Sequence, residues 1–237
     1  MRVDLYDDGI GAVEYISHMG NDLSVVNAAR VSFGTEKEEV DDKDVKLINY
    51  LIKHNHTSPF EHCTITMRFT VPLFIRSQHH RHRTWAYNEI SRRYTSVDMR
   101  FYEPSEFRSQ HKSNRQASTE ETVNPDLNTN YRGLVPTAPF YASDAVQSHN
   151  QKSLSLYKSL IEAGVCREQA RGVLPQNLYT QYYGTVSLHN LLKFVSLRVH
   201  EGAQWEIQQV AQACLTIAEK HYPESVKAYR NKKEMEK

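Results

Sequence analysis

Between Cys63 and Val71 the chain alternates with a period of two. Cys63, Ile65, Met67, Phe69 and Val71 are apolar, and Thr64, Thr66, Arg68 and Thr70 stand between them. That period puts the two sets on opposite faces and predicts a half-buried strand. Asn177–Thr185 alternates in the same way, and residues 2–6 and 12–16 read as short strands around the Gly9–Gly11 turn. Helical spacing governs other stretches. Asn21 or Ser24 caps a short helix through Arg30, and Asp41 caps one in which Val45, Ile48 and Ile52 recur. Pro72 suits the first turn of a helix carrying Leu73, Phe74 and Ile75. A helical pattern also runs through residues 151–163. Ser187 caps a helix whose Leu188, Leu191, Leu192, Val195 and Val199 share a face, and the next has Ile207, Val210, Ala211, Cys214 and Ala218 on one stripe.

Residues 104–150 are rich in Ser, Asn, Gln and Pro and read as a long polar surface excursion, partly mobile without ligand. Neither flank looks self-sufficient, so residues 1–237 are expected to form a single domain. The charged tail from Lys227 is expected to fray. Strands and helices do not alternate regularly, which favours α+β over a doubly wound sheet.

With 29 basic and 28 acidic residues the net charge is only +1, which argues against a protein that coats nucleic acid. Cys63, Cys166 and Cys214 are far apart and form no CxxC pair, as expected of reduced thiols in a cytoplasmic setting. Residues 1–10 carry four charges and no apolar run, so no secretory signal is expected. No apolar stretch approaches the roughly 20 residues that span a bilayer, so no membrane partner is expected.

Charge is nevertheless concentrated locally. Arg76, Gln78, His79, His80, Arg81, His82 and Arg83 are followed by Glu89, Ser91, Arg92 and Arg93, with Trp85 and Tyr87 interleaved. So much like charge repels itself unless an anion neutralises it, and guanidinium forks suit phosphate. A solvated basic face is the bland alternative. No glycine-rich dinucleotide fingerprint or Walker loop is present, so side chains and helix N-termini must hold any nucleotide.

Arg81-His-Arg83, seven residues and then Ser91 resembles the signature of the flavin-dependent thymidylate synthases. Met19–Ser24 through Ala28–Phe33, His54–His62, Tyr87–Tyr94, Arg171–Thr180, and Leu197-Arg198 followed by Ala203–Gln208 are similar to further blocks of that family, in order. The resemblance implies an α+β fold with a mainly antiparallel sheet, assembled as a homotetramer with active sites shared between subunits. It implies that dUMP is methylated to dTMP, with 5,10-methylenetetrahydrofolate as carbon donor, FAD as cofactor and NADPH or NADH as reductant. It assigns dUMP to Gln78, His79, His80, Arg81, Glu89, Ile90, Ser91, Arg92, Arg93, Arg171 and Arg198. It assigns FAD to Ser58, Arg81, His82, Arg83, Glu89, Ser187, Leu188, His189 and Lys193, with His56 near flavin and folate. Ser58 stands where threonine is common, Ser187 and Lys193 where asparagine is frequent, and Gly202 where histidine is.

Arg198 ends a Leu-rich helix, where an arginine can simply complement the helix dipole. The catalytic reading makes it a cation beside the uracil ring, stabilising developing negative charge. Ser91 has no neighbouring base in sequence and reads as a binding residue rather than a nucleophile. Twelve histidines raise a metal-dependent hydrolase as a rival, but no HExxH or carboxylate-rich ligand set accompanies them and no metal is expected. A nucleotide- or RNA-binding module is the other rival, with aromatics near the basic cluster available for stacking.

Overall fold

The structure is a computed structural model and describes residues 1–115, 117–128 and 138–236. Strands β1 (Arg2–Asp4) and β2 (Ala12–Met19) lead into helices α1 (Asp22–Arg30) and α2 (Asp42–Lys53). Then come β3 (Thr64–Pro72), α3 (Leu73–His79) and β4 (Ala86–Glu89), followed by β5 (Phe107–Gln110), β6 (Ser118–Val123), α4 (Ala142–Glu162) and α5 (Arg167–Ala170). The order ends with β7 (Tyr179–Ser187), α6 (Leu188–Arg198), α7 (Trp205–Glu219) and α8 (Pro223–Met235). The main sheet runs β1-β2-β3-β7-β4, with β1–β2 and β2–β3 antiparallel, and β5–β6 form a separate antiparallel pair. This is the α+β class expected from the patterning.

The chain divides into two compact units. The first comprises Met1–Thr70, Gln78–Asn88 and Gln181–Lys237; the second comprises Val71–Ser77 and Glu89–Thr180.

In the first unit, Cys63, Ile65, Met67 and Phe69 are at most 1% exposed, as the period of two requires. On the other face Arg68 makes two bonds to its cross-strand partner Glu14, at 2.8 and 2.7 Å. Gly184 is needed for close packing, because a Cβ there would meet Phe69 at 2.9 Å and Trp85 at 3.1 Å. Asn21 and Asp41 each form a capping box with the residue three on. Asp44 is buried, but Arg30 and Lys37 pair with it and hold its carboxyl below the usual range against the upward push of burial.

Three expectations are corrected here. The tail does not fray at Lys227, because α8 runs to Met235 and buries Val226, Ala228 and Tyr229. Its N-terminus is capped from α1: buried Asp22 accepts from the Glu224 and Ser225 amides at 2.8 and 3.0 Å. Pro72 ends β3 rather than opening α3, and the first amides of α3 donate to backbone, Leu73 to Leu178 at 3.0 Å and Phe74 to Gln176 at 3.1 Å. The third concerns the polar excursion of the second unit. Its described part contains the β5–β6 pair and the first turns of α4, which starts at Ala142 with the Asp144 carboxylate accepting from the Tyr141 amide at 3.3 Å. Gln116 and residues 129–137 of that stretch lie outside the described residues. No helix among the described residues is long and apolar enough to cross a membrane.

Candidate functional site

Arginines and two carboxylates, Glu89 and Glu168, surround a cavity of about 410 Å³ in the second unit. Arg76 enters from α3, Glu89 to Arg92 from the end of β4 and the turn beyond it, Arg171 and Gly172 from a 3-10 turn after α5, and Thr180 from β7. Glu89 Oε1 accepts from Thr180 Oγ1 at 2.6 Å and from Arg76 Nε at 3.1 Å. Arg92 turns its guanidinium to backbone, donating to Val97 O at 2.6 Å and more weakly to Asp98 O and Tyr179 O at 3.4 and 3.5 Å. Burial lowers its pKa from the usual value. Ser91 Oγ accepts from the Arg93 amide at 3.2 Å, and its carbonyl accepts from the Tyr94 and Thr95 amides. That holds Ser91 in a turn, with no base among the described residues bonded to its hydroxyl. Arg93 is exposed and pairs with Glu168 at 3.5 Å, while Arg171 stands exposed.

A second cavity, of about 400 Å³, lies in the first unit between α2, the 3-10 turn Ser58–His62, α6 and α8. Leu51, Phe60, Leu192 and Tyr229 give it an apolar wall, and His56, His189, Lys193, Lys232 and Lys233 give it cationic or ionisable groups. Glu236, paired with Lys233 at 2.7 Å, is the acid among the lining residues. Lys232 Nζ donates to Ile52 O and Asn55 Oδ1 at 3.1 and 2.7 Å. Burial and the nearby Lys193 lower the pKa of His189, with Glu61 opposing them.

The turns after α3 sort the basic cluster of the first unit. The His82 amide donates to His79 O and that of Trp85 to His82 O, which leaves Arg81 and Arg83 exposed and Trp85 buried. Tyr87 Oη locks the turn by donating to the carbonyls of His79 and His82 at 2.9 and 3.2 Å. His79 is fully buried, bonded to Tyr182 Oη at 2.7 Å and packed among Phe69, Trp85 and Phe194. His80 stacks on Tyr87 with ring centres 4.0 Å apart, and Gln78 bonds to Gln204. His82 Nε2 accepts from Arg198 Nε at 3.0 Å, so the ring is neutral with its proton on Nδ1. Burial first, then the charges of Arg198 and Lys193, push the His82 pKa down to about 4.

Of the residues assigned from sequence, the second-unit cavity gathers Glu89, Ile90, Ser91, Arg92 and Arg171, with Arg93 bonded to Glu168 on its lining. The first-unit cavity gathers His56, His189 and Lys193, and Ser58 follows the lining residue Thr57. Other assignments are committed to the fold. Leu188 is fully buried with its amide donating to Cys63 O, and Ser187 Oγ caps the helix by accepting from the Asn190 amide at 3.4 Å and also accepts from Asn190 Nδ2 at 3.0 Å. Sequence reasoning did not single out Thr180, Glu168 or Gln176, nor Lys232 and Lys233. Thr180 closes a family-like block and Arg76 opens the basic cluster, so a signal existed for both. Lys232 and Lys233 carried none, because α8 itself was read as tail. Among the described residues no group of three or more His, Cys, Asp or Glu is placed to hold a metal ion.

The family model for thymidylate synthase complementing protein matches residues 14–224. A flavin-dependent thymidylate synthase of Thermotoga neapolitana is 38% identical over 97% of this chain and 94% of its own. One of Thermus thermophilus is 40% identical over 90% of this chain and 73% of its own. Crystal structures of the UMP/dUMP methylase PolB from Streptomyces cacaoi are similar in fold, each covering 97% of both chains. The 5-Br UMP complex has a TM-score of 0.77 at 29% identity, and the 5-Br dUMP complex 0.76 at 30%.

Proposed function

The chain belongs to the thymidylate synthase complementing protein family, that of the flavin-dependent thymidylate synthases, and from that premise we propose how its residues perform the reaction. It methylates dUMP to dTMP. The C5 hydrogen of uracil is exchanged for a methyl group whose carbon comes from 5,10-methylenetetrahydrofolate, leaving tetrahydrofolate, while NADPH or NADH is oxidised. FAD, when bound and reduced by the nicotinamide, would supply the hydride to the pyrimidine.

The observation that carries the nucleotide reading is the second-unit cavity, where Arg76, Arg92, Arg171 and Ser91 line the same space as two carboxylates, Glu89 and Glu168. Arg92 spends its donors on carbonyls and so shapes the turn, leaving the exposed Arg171 and Arg93 to take the phosphate. Arg198 contributes the charge beside uracil. His82 holds it through one N–H and, being neutral, takes nothing from its positive charge. In a homotetramer one subunit gives Glu89–Arg93 and Arg171 to each dUMP, and its neighbour gives Gln78–Arg81 and Arg198.

The first-unit cavity fits FAD in its chemistry. Lys193 and His189 offer donors to an anionic diphosphate, and Leu192, Phe60 and Tyr229 offer apolar surface to rings. Ser58, Arg81, His82, Arg83, Glu89, Ser187 and Leu188 complete the proposed FAD set, the last two through the helix start they build. The buried thiols are not needed as nucleophiles: burial raises the pKa of Cys63 to about 11 and that of Cys214 further. Free thiols at Cys63, Cys166 and Cys214 suit a cytoplasmic enzyme.

The test is a flavin absorbance spectrum followed by mass spectrometry of nucleotide product. dTMP is expected only when dUMP, folate donor, reduced nicotinamide and FAD are all present. Full turnover without flavin would overturn the reading.

A further inference from the structure

The segment Ala203–Gln208 takes no part in the proposed chemistry, yet it holds a buried carboxylate. Glu206 is only 4% exposed, in the first turn of α7. Its Oε2 accepts from Gln204 Nε2 at 2.9 Å, and Gln204 Oε1 accepts in turn from Nε2 of Gln78, on the last turn of α3. Gln78 Oε1 has no partner among the described residues. A carboxylate can only accept, so Gln204 must turn an N–H to it, and that forces each amide along the row the same way round. Without such a neighbour an amide can present either end. Burying a carboxylate also costs far more than burying an apolar side chain, so Glu206 is a poor choice for packing alone.

A strained turn bears on the same place. Tyr6 and Asp7, between β1 and β2, hold left-handed φ values of 65° and 54°, a region that residues with a Cβ occupy at a cost. Asp8 Oδ1 closes that turn by accepting from the Ile10 and Gly11 amides at 2.8 and 2.9 Å. The turn carries Tyr6 to the start of α7, where its hydroxyl donates to Glu206 O at 3.1 Å. Gly11 leaves room for the ring, which a Cβ there would meet at 2.7 Å. The backbone of the residue whose carboxylate begins the row is therefore pinned from a second element.

We infer that Gln204 and Glu206 are positioning residues: through them a buried carboxylate sets the orientation of the Gln78 amide and leaves its Oε1 and second N–H for the nucleotide. The inference rests on the dUMP reading, in which Gln78 meets the nucleotide, and adds what fixes that side chain.

The experiment measures KM for dUMP and kcat at saturating folate donor, FAD and reduced nicotinamide. It uses the full-length protein and its Gln204→Ala, Glu206→Gln and Gln78→Ala variants, with a melting curve for each. Gln204→Ala and Glu206→Gln should each raise KM for dUMP about 3- to 10-fold, the range for one hydrogen bond, with kcat within about twofold. Added to Gln78→Ala, either should raise KM by no more than about twofold further, because both act through that amide. The paired exchange of Gln204→Glu with Glu206→Gln puts the acceptor-only group in the middle of the row, where it takes an N–H from each side. It should bring KM back to within about twofold of the unmodified protein, a rescue that a loss of packing or stability would not show. Gln204→Ala, at a half-buried position, carries the test if Glu206→Gln does not fold. An unchanged KM in Gln204→Ala, full additivity with Gln78→Ala, or a folded paired variant with no recovery would each overturn the inference while leaving the dUMP reading standing. An unmodified protein that makes no dTMP from dUMP sinks that reading itself, and this inference with it.

Discussion

The cavities of the two units are alike in size, about 400 Å³ in the first and 410 Å³ in the second, and unlike in construction. The second is made of polar contacts: Thr180 and Arg76 hold Glu89, and Arg92 is tied to backbone carbonyls. The first is an extension of the hydrophobic core. Leu51, Phe60, Leu192 and Tyr229 are at most 7% exposed, and lysines stand on its rim. A polar cage fixes the position of a small, highly charged ligand through directional bonds. An apolar wall with a cationic rim suits a larger ring system, whose affinity comes mainly from area and only partly from charge. The two regions should therefore respond differently to the loss of one cation.

The largest effect is expected at Arg198, which the proposed mechanism places where charge develops. Arg198→Ala should lower turnover at saturating dUMP by roughly 100- to 1,000-fold, the range for removing one transition-state donor. Steady-state kinetics with normal turnover would remove the distinction between catalysis and binding. Arg171→Ala should act on binding instead. Its KM for dUMP should rise about 10- to 100-fold with turnover much less affected, as for losing one charge-assisted bond. Lys193→Ala sharpens the contrast from the apolar side. The Kd for FAD should rise by no more than about fivefold at low salt and less at high salt, because an exposed cation is screened. Equal FAD affinity at both salt concentrations would make Lys193 a bystander.

The smallest effect concerns pH. The folded pKa of His82 is about 4 against an ordinary value of 6.5, so between those limits the unfolded chain binds the extra proton. The stability tied to neutral His82 is complete above about pH 6.5 and is lost as pH falls toward 4. His82→Gln keeps an acceptor for Arg198 and does not titrate. Its melting temperature should fall less between pH 7 and pH 5, by roughly 2 °C. Buried His79 shifts in the same direction, so part of the acid sensitivity should remain. An identical fall in both proteins would show that His82 carries none of it.

These contrasts follow how each region could be read. Uncancelled charge over Arg76–Arg93 was legible in sequence, because a run of arginines has no explanation in a core. Alternation in β3 and the caps at Asn21, Asp41 and Ser187 were legible too, since each depends on residues a few positions apart. The α8 helix was not. Its composition is that of a solvated tail, and what holds it is Asp22, some two hundred residues earlier, capping Glu224 and Ser225. The first-unit cavity was equally hidden, because Ile52 and Leu192 read as core stripes and their exposure to a cavity depends on where α2, α6 and α8 pack. His79 and His82 were indistinguishable as members of one cluster. Only packing made the first a buried partner of Tyr182 and the second the acceptor for Arg198. Sequence fixes what is decided by period, cap and net charge, which are local quantities. Which oxygen of Glu89 is occupied, and which imidazole faces which charge, depends on groups about 90 to 120 positions apart that only the folded chain brings within hydrogen-bond distance.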